Sequence, residues 1–298
     1  MKMLITGGTG LIGSSLIRMC RKPDDEITVL SRNPDRVVTR FGGRVRAMQS
    51  LEEWTPEMDF DAVINLAGAP IATRWTDQRK KEIWDSRVTL TEKLVRQIAL
   101  VEKKPEVLIS GSAVGYYGNT GEKAVDENTG SAGDFGARLC SAWERAARQA
   151  EEWGVRVCTV RTGLVLSDQG GMLKQMRLPF ALGMGSRMGD GRQWMSWIHI
   201  EDHIHAVLQL MQGREFSGAY NLTAPNPVRN AEFTRALGAA VHRPAFLVAP
   251  AAIIRLLLGE SAYLLLGGQH ALPVRLGESG FRFKFSTLDD ALIDLVGQ

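Results

Sequence analysis

Three glycines near the start of the chain, Gly7, Gly10 and Gly13, follow a short apolar run and precede an amphipathic stretch. Gly7 permits a tight turn after a strand, Gly10 lets a ligand approach the backbone, and Gly13 lets a helix pack closely on that strand. The unpaired amides and the positive dipole end of the helix would then attract an anion. The spacing and its strand–loop–helix context predict a loop that binds the pyrophosphate of a dinucleotide.

The next apolar run ends in Ser31 and Arg32, at the place where dinucleotide-binding proteins distinguish two cofactors. An enzyme that prefers NAD(H) usually has a carboxylate there, because the carboxylate accepts hydrogen bonds from the ribose hydroxyls. A hydroxyl and a guanidinium suit a ribose 2′-phosphate, which a carboxylate would repel. We therefore predict NADP(H) rather than NAD(H) as the cofactor.

Short apolar runs alternate with amphipathic stretches through the first half of the chain. The runs are bounded by turn residues and rich in β-branched residues, which is typical of buried strands; they cover residues 3–6, 27–30, 62–66, 107–110 and 155–160. Helical periodicity lies between them, over residues 11–20, 77–101 and 139–153. This alternation predicts an α/β fold with a doubly wound parallel sheet covered on both faces.

The pattern changes after about residue 166, where glycine-rich loops appear and the final part of the chain becomes mostly helical. The segment 218–222 is typical of one more strand of the first domain. We therefore predict a nucleotide-binding Rossmann domain from residues 1–166 and 194–224. Residues 167–193 and 225–298 would form a smaller, mostly helical lobe over the substrate. The apolar stretch 245–266 is expected to be a buried or substrate-covering pair of helices.

Composition and charge restrict the classes of function. The chain has 298 residues, of which 44% are hydrophobic, and its net charge of +3 gives no reason to expect a nucleic-acid partner. Three scattered cysteines fit neither a disulfide framework nor a zinc site. The first residues lack the features of a signal peptide, and Pro250 and charged residues interrupt the most apolar stretch. We therefore expect a cytoplasmic protein that does not enter a membrane.

Two further motifs, Asn65-Leu-Ala-Gly68 and Ser110-Gly-Ser-Ala-Val114, lie at the ends of the predicted strands 62–66 and 107–110. With the glycine loop, they make the chain resemble the extended short-chain dehydrogenase/reductase superfamily, the group of sugar-nucleotide epimerases and dehydratases. The chain is most similar to the YfcH-type epimerase-family proteins. Motifs along nearly the whole chain carry this similarity: Ser86-Arg87, Trp143-Glu144, Arg161-Thr-Gly163, Trp197-Ile-His-Ile-Glu-Asp202, Gly267-Gly-Gln269 and Leu272-Pro273.

The resemblance implies cofactor contacts at the matching positions of this chain. The implied contacts are Gly7, Thr9, Gly10, Leu11, Ile12 and Gly13 at the pyrophosphate, Ser31 and Arg32 at the adenosine phosphate, Leu66, Ala67 and Gly68 along the bridging region, and Glu82 and Arg87 on the following helix. Ser110, Gly163 and Leu164 complete the set after the later strands. The backbone at Gly163 and Leu164 would lie beside the nicotinamide.

The catalytic tyrosine and lysine of the superfamily have no counterpart in this chain. In the superfamily they lie four residues apart on one helix, where the ammonium lowers the pKa of the phenol so that it can act as a base. Alignment of the corresponding helix on its aromatic residue gives Phe135 and Leu139. Alignment on Glu144 gives Gly136 and Cys140. Neither register supplies a phenol or an amine.

Three explanations of this absence are open. Ser112 stands at the position of the superfamily's serine, and Tyr116 or Tyr117 would supply a phenol from the loop that follows it. Proton transfer would otherwise fall to another polar side chain, for which the candidates are Asp134, Arg138 and His199. In the third explanation, the protein binds NADP(H) without turning over a conventional substrate.

The substrate side is predicted from the glycine-rich stretch 183–191 and the residues after it. Arg187 and Arg192 would bind a substrate phosphate, as the matching region does in nucleotide-sugar epimerases. Trp194 would stack on a ring or form the cleft wall. His199 would be a polar group beside the substrate or a packing histidine, and no metal is expected because the histidine spacing differs from a zinc motif.

These features predict an NADP(H)-dependent oxidoreductase or isomerase-like protein with an atypical active site. Its substrate would be a small molecule, such as a nucleotide sugar or a carbonyl compound. The alternative is a non-catalytic NADP(H)-binding protein that senses redox state or binds a partner. Helices such as that over residues 77–101 could pair with a second subunit in a homodimer.

Overall fold

A computed structural model describes residues 1–20, 24–43 and 45–297, and a parallel sheet lies at its centre. The strands are β1 (Lys2–Thr6), β2 (Glu26–Leu30), β3 (Val45–Met48), β4 (Ala62–Asn65), β5 (Val107–Ala113), β6 (Ala124–Val125), β7 (Arg156–Thr162), β8 (Leu164–Leu166), β9 (Ser186–Met188), β10 (Trp194–Met195), β11 (Trp197–His199), β12 (Gly218–Leu222), β13 (Val228–Arg229), β14 (Leu247–Ala249) and β15 (His270–Ala271). In the described part of the chain, seven strands form the central sheet in the order β3-β2-β1-β4-β5-β7-β12, with all neighbours parallel.

Helices cover both faces of this sheet and build most of the C-terminal region. They are α1 (Leu11–Met19), α2 (Pro34–Phe41), α3 (Asp77–Trp84), α4 (Leu90–Leu100), α5 (Phe135–Arg148), α6 (Gly171–Ala181), α7 (Ile200–Gln212), α8 (Asn230–Ala240), α9 (Ala251–Leu258), α10 (Tyr263–Leu266), α11 (Val274–Glu278) and α12 (Leu288–Val296). A π-helical turn, Asp85–Thr89, joins α3 to α4. The predicted doubly wound α/β fold with a helical C-terminal region is confirmed.

Consecutive residues of the central strands bury their side chains on opposite faces of the sheet. In β1, Met3 and Ile5 pack in the cluster that contains α1 and α7, whereas Leu4 packs in the cluster that contains α4. This two-sided burial is why the strands are continuously apolar. The strand order reverses between β1 and β4, and the crevice at the carboxyl ends of these two strands is where such sheets bind ligands.

Two features of the sheet differ from the predicted strands. β3 has no predicted counterpart, because it is a four-residue edge strand with the exposed Arg46 in its middle. β5 continues to Ala113, since Ser110 pairs with Thr159 and Ser112 with Arg161 of β7. Ser112 therefore lies within the strand, beyond its predicted end at residue 110.

A separate cluster of buried residues lies in the C-terminal half of the chain. It joins α6, α8 and α12 through Phe180, Phe233 and Leu292. The apolar stretch 245–266 is not buried on its outer side, because Phe246 and Leu256 are each 75% exposed. The other predicted alternative, a substrate-covering pair of helices, stays a prediction. Within the described residues, no helix combines the length and the apolar character needed to cross a membrane.

The burial of His203 should make the free energy of unfolding depend on pH. It lies fully buried in α7, with Nε2 3.1 Å from the Thr162 hydroxyl, and burial lowers its pKa from 6.5 to about 4. The unfolded chain binds this proton below pH 6.5, so stability should fall by up to about 3 kcal/mol as the pH drops to 4. Urea unfolding between pH 7 and 4 measures this loss. A His203→Leu variant should show a shallower fall, and an identical fall would contradict the assignment.

Candidate functional site

The glycine loop lies at the carboxyl end of β1, where the strand order reverses. Gly7 has a φ of +68°, and a Cβ on it would lie 2.5 Å from the carbonyl oxygen of Leu66. A Cβ on Gly13 would lie 2.5 Å from the carbonyl oxygen of Gly7. Because the obstructing atoms belong to the backbone, both positions accept only glycine.

The first turn of α1 presents its amide groups to the crevice. Within the described residues, no side chain caps this helix, and its first turn carries no acidic residue. Its leading amides are therefore available to an anion. Gly10 is exposed, and Thr9, Leu11 and Ile12 are half-buried, so a ligand can reach the backbone here. The geometry fits the pyrophosphate predicted for this loop.

The end of β2 carries the two residues predicted to select the cofactor. The Ser31 hydroxyl accepts a hydrogen bond of 3.2 Å from the amide of Asn33, which leads into α2. Arg32 is exposed, so its guanidinium is accessible to a ligand phosphate. This arrangement is compatible with the predicted contact to an adenosine phosphate.

Arg40 was not predicted; it lies in the last turn of α2, and its side chain reaches the glycine loop. Its guanidinium donates hydrogen bonds of 2.8 Å to the Thr9 carbonyl and 3.0 Å to the Ser14 hydroxyl. Burial and the nearby charges of Arg18 and Arg36 lower the pKa of Arg40. Arg40 therefore places a positive charge beside the glycine loop. The signal was present in the sequence, since residues 32, 36 and 40 are four apart after a strand.

Arg87 holds the loop that follows β4. It lies on the π-helical turn and donates a hydrogen bond of 3.0 Å to the carbonyl of Ala69. A Cβ on Gly68 would lie 2.7 Å from the Arg87 guanidinium carbon. The predicted contacts Leu66 and Ala67 are half-buried in this loop, next to the glycine loop.

Two predicted cofactor contacts, Glu82 and Ser110, differ from the others in their exposure and in their partners. The carboxylate of Glu82 is exposed and forms an ion pair with Arg79. Ser110 is 0% exposed and accepts a hydrogen bond of 3.3 Å from Asn65 Nδ2. The Ser110 side chain is sealed beneath the crevice and supports Asn65, so the structure gives no support to its cofactor contact, which stays a prediction.

The three residues predicted to be catalytic belong to one buried polar network. The Ser112 hydroxyl donates to Glu144 Oε1 at 2.7 Å, and Arg161 donates two hydrogen bonds to the same carboxylate at 2.8 and 2.9 Å. The Arg161 guanidinium lies 3.6 Å from the ring centroid of Tyr116 and donates to the Tyr117 hydroxyl at 2.9 Å. Glu144 and Arg161, which no prediction included as catalytic, are the centre of this network.

The Tyr117 hydroxyl is hydrogen-bonded both as a donor and as an acceptor. It donates to Asn221 Oδ1 at 2.8 Å while it accepts from Arg161. Burial raises the pKa of Tyr117 to about 12, even though the Arg161 charge acts in the opposite direction. A raised pKa opposes phenolate formation near neutrality. The geometry therefore supports a structural role for Tyr117 and not the predicted role of base.

A side chain from the C-terminal region fills the space of the missing tyrosine. In the register set by Glu144, Gly136 takes the tyrosine position, and a Cβ there would lie 1.9 Å from the Tyr263 hydroxyl. Tyr263 begins α10 and packs edge-on against Trp75, with ring centroids 5.5 Å apart. Burial and the Asp134 carboxylate raise the pKa of Tyr263. No side chain fits at residue 136 while this phenol is in place.

Replacing Gly136 by alanine should cost about 1–3 kcal/mol of stability, because the Tyr263 ring has to shift. Tyr263→Phe removes the obstructing hydroxyl, which is buried without a hydrogen-bond partner among the described residues. In that background Gly136→Ala should cost little. Urea unfolding of the four proteins in this double-mutant cycle measures the coupling. If Gly136→Ala lowers the free energy of unfolding equally in both backgrounds, residue 136 does not contact the Tyr263 hydroxyl.

A cavity of about 100 Å³ lies beyond the carboxyl end of β7, against the C-terminal region. The predicted contacts Leu164 and Trp194 line it. Gly163, between β7 and β8, has no room for a side chain, because a Cβ would lie 2.3 Å from the Ser196 carbonyl oxygen. Arg187 and Arg192 are exposed and are not among the described residues that line this cavity.

His199 caps α7 and does not line this cavity. Its Nδ1 accepts a hydrogen bond of 3.1 Å from the amide of Glu201, its ring lies against Phe285, and Nε2 lies 3.3 Å from the Asp294 carboxylate. Of the two roles predicted for His199, these contacts favour the packing histidine. Across the described residues, no group of three or more histidines, cysteines or acidic residues is arranged to hold a metal ion.

Comparison with known families gives two matches that together span most of the chain. Residues 3–223 match the model of the NAD dependent epimerase/dehydratase family. Residues 249–295 match a domain of unknown function, DUF1731. The second match contains α9, α10 and Tyr263.

Individual relatives are similar over nearly their whole length. An epimerase family protein of Mycobacterium bovis is 44% identical, with 97% of this chain and 95% of the relative covered. A chloroplastic homologue of epimerase family protein SDR39U1 from Arabidopsis thaliana is 40% identical, with coverages of 98% and 86%. The crystal structure of human SDR39U1 with NADPH superposes with a TM-score of 0.90 at 32% identity, covering 100% of this chain and 99% of the human one. The chain therefore belongs to the NAD dependent epimerase/dehydratase family.

Proposed function

We propose that the chain binds NADP(H) in the crevice at the β1 and β4 strand ends and transfers hydride between it and a small substrate. The glycine loop carries this proposal, because its backbone leaves no room for side chains at Gly7 and Gly13 and its helix amides have no cap in the described structure. Arg32 and Arg40 supply positive charge beside it. The human relative with bound NADPH supports this choice of cofactor.

The chain's own residues would have separate roles in this reaction. The amides of α1 bind the pyrophosphate, Arg32 binds the 2′-phosphate, and Arg87 holds the loop after β4 in place. The cofactor, when bound, supplies or accepts the hydride. Leu164, which lines the apolar cavity, would exclude water from the reacting face of the nicotinamide.

An Arg32→Asp variant tests the choice of cofactor. It should bind NADPH about tenfold or more weakly, because one charge-assisted hydrogen bond is lost and a repulsive charge is added. NADH binding should change much less. Fluorescence titration with each cofactor measures the two affinities. The control is Arg214→Asp, which makes the same charge change at a side chain that is 86% exposed and lies beside Glu106. Unchanged NADPH affinity in Arg32→Asp would refute the proposed contact.

The alternative function is NADP(H) binding without catalysis. One observation favours it: the hydroxyls of Ser112 and Tyr117 are both engaged in the buried network around Glu144 and Arg161. Stopped-flow measurement of NADPH oxidation across carbonyl compounds and nucleotide sugars separates the two functions. Oxidation by any substrate class supports the enzyme, whereas tight NADPH binding with no oxidation across the panel supports the sensor.

A further inference from the structure

The cavity beyond Leu164 has an unusual lining for a family of sugar-nucleotide enzymes. Its walls are mainly apolar and include three methionines, Met172, Met188 and Met195. None of the described residues that line it carries a charge. A diphosphate or a carboxylate would lose its hydration there without gaining a charged partner, which is strongly unfavourable.

The neutral polar residues of the lining are mostly occupied by the protein itself. The Gln193 amide donates to the carbonyls of Met188 at 3.1 Å and Leu265 at 2.8 Å. The Ser196 hydroxyl donates to the Gln269 carbonyl at 2.7 Å. These bonds hold the walls together and leave few groups for the hydroxyls of a sugar.

Trp194 provides one donor that the protein does not use. Its ring is fixed between neighbours, because it stacks on His270 at 3.9 Å and Arg229 lies 3.8 Å from its centroid. Its Nε1 is buried and has no hydrogen-bond partner among the described residues. Such an orphaned donor is costly unless a ligand satisfies it. A carbonyl oxygen is an acceptor of the required kind.

The size of the cavity also limits its ligand. At about 100 Å³ it is smaller than the cavity of ~150 Å³ that binds benzene in a protein core, so an aromatic aldehyde would enter it only with its carbonyl end. We propose that it receives the reacting end of a small, uncharged, apolar aldehyde or ketone, with Trp194 Nε1 as donor to the carbonyl oxygen. This substrate class rests on the proposed hydride transfer and excludes nucleotide sugars from the cavity.

The reaction balances without a tyrosine. Hydride from NADPH, carrying two electrons, forms a C–H bond at the carbonyl carbon as the C=O π bond breaks. The oxygen then takes a proton from a water molecule outside the reacting face of the nicotinamide, so the products are an alcohol, NADP⁺ and hydroxide. The Trp194 indole keeps its proton throughout and stabilises the developing negative charge on oxygen.

Calorimetric titration of the NADP⁺-loaded protein with benzaldehyde and with UDP-glucose tests the inference, with NADPH oxidation at 340 nm as the second readout. Benzaldehyde should bind and be reduced, whereas UDP-glucose should do neither. Leu265→Lys places a charge in the wall and should weaken benzaldehyde binding at least tenfold, with NADPH affinity changed less than twofold. The matched control is Leu256→Lys, which adds the same charge at a 75% exposed site on α9.

Each outcome decides one of the two proposals. Binding of UDP-glucose in place of benzaldehyde, or of neither probe, overturns the apolar substrate class. Equal losses of NADPH and benzaldehyde affinity in Leu265→Lys would show that the cavity serves only the cofactor, which also overturns it. Failure of the unmodified protein to bind NADPH would instead overturn the proposed function.

Discussion

Replacing Gly13 by alanine should abolish NADPH binding and lower the free energy of unfolding by about 1–3 kcal/mol. The added Cβ would lie 2.5 Å from the Gly7 carbonyl oxygen and 2.7 Å from the Gly8 Cα. Because both are backbone atoms, α1 must move away from β1. That movement displaces the helix amides from the pyrophosphate, which needs them within hydrogen-bond distance.

Fluorescence titration with NADPH and urea unfolding measure the two effects. Gly43→Ala is the matched control, because a Cβ there meets nothing within 4 Å among the described residues and its φ lies outside the left-handed region. It should leave NADPH affinity unchanged. Wild-type affinity in Gly13→Ala would mean that the loop does not hold the cofactor.

The second large effect is expected at Glu144. Its carboxylate accepts two hydrogen bonds from Arg161 and one from Ser112, at a site where Glu144 is 7% and Arg161 4% exposed. Glu144→Ala would leave the Arg161 charge buried without its partner. Removing one partner of a buried ion pair typically costs about 3–5 kcal/mol, so the variant should be severely destabilised.

Urea unfolding of three proteins distinguishes an uncompensated charge from a lost attraction. The double variant Glu144→Leu with Arg161→Met should recover much of the stability, since no buried charge is left. Glu151→Ala is the surface control: its pair with Arg148 is exposed and should contribute little. A cost for Glu144→Ala as small as that of the control would contradict the arrangement.

A network of this kind also affects how the missing catalytic pair is understood. Ser112 has the position predicted for the superfamily's serine, yet its hydroxyl donates to Glu144 inside the network. The phenol nearest the vacant tyrosine position is Tyr263, which arrives from the C-terminal region. In this chain, Ser112 is therefore engaged in the buried network and Tyr263 occupies the space at Gly136.

The local sequence was sufficient to predict the features that depend on residues close together in the chain. The loop from Gly7 to Gly13 was predictable because its conformation follows from glycine spacing between a strand and a helix. The two-sided burial of β1 was predictable for a similar reason, since apolar residues on both faces of a strand require cover on both sides. Even the unpredicted Arg40 had a signal in its four-residue spacing from residues 32 and 36.

The tertiary structure decided the features that join distant parts of the chain. The sequence predicts a strand that ends at residue 110, but pairing of β5 with β7 continues the strand to Ala113 and leaves Ser110 at 0% exposure. The sequence also gives no sign that Tyr263 excludes a side chain from residue 136, which lies 127 residues earlier. Spacing and propensity act over one or two turns of chain, whereas close packing in the folded protein determines which distant side chains share one space.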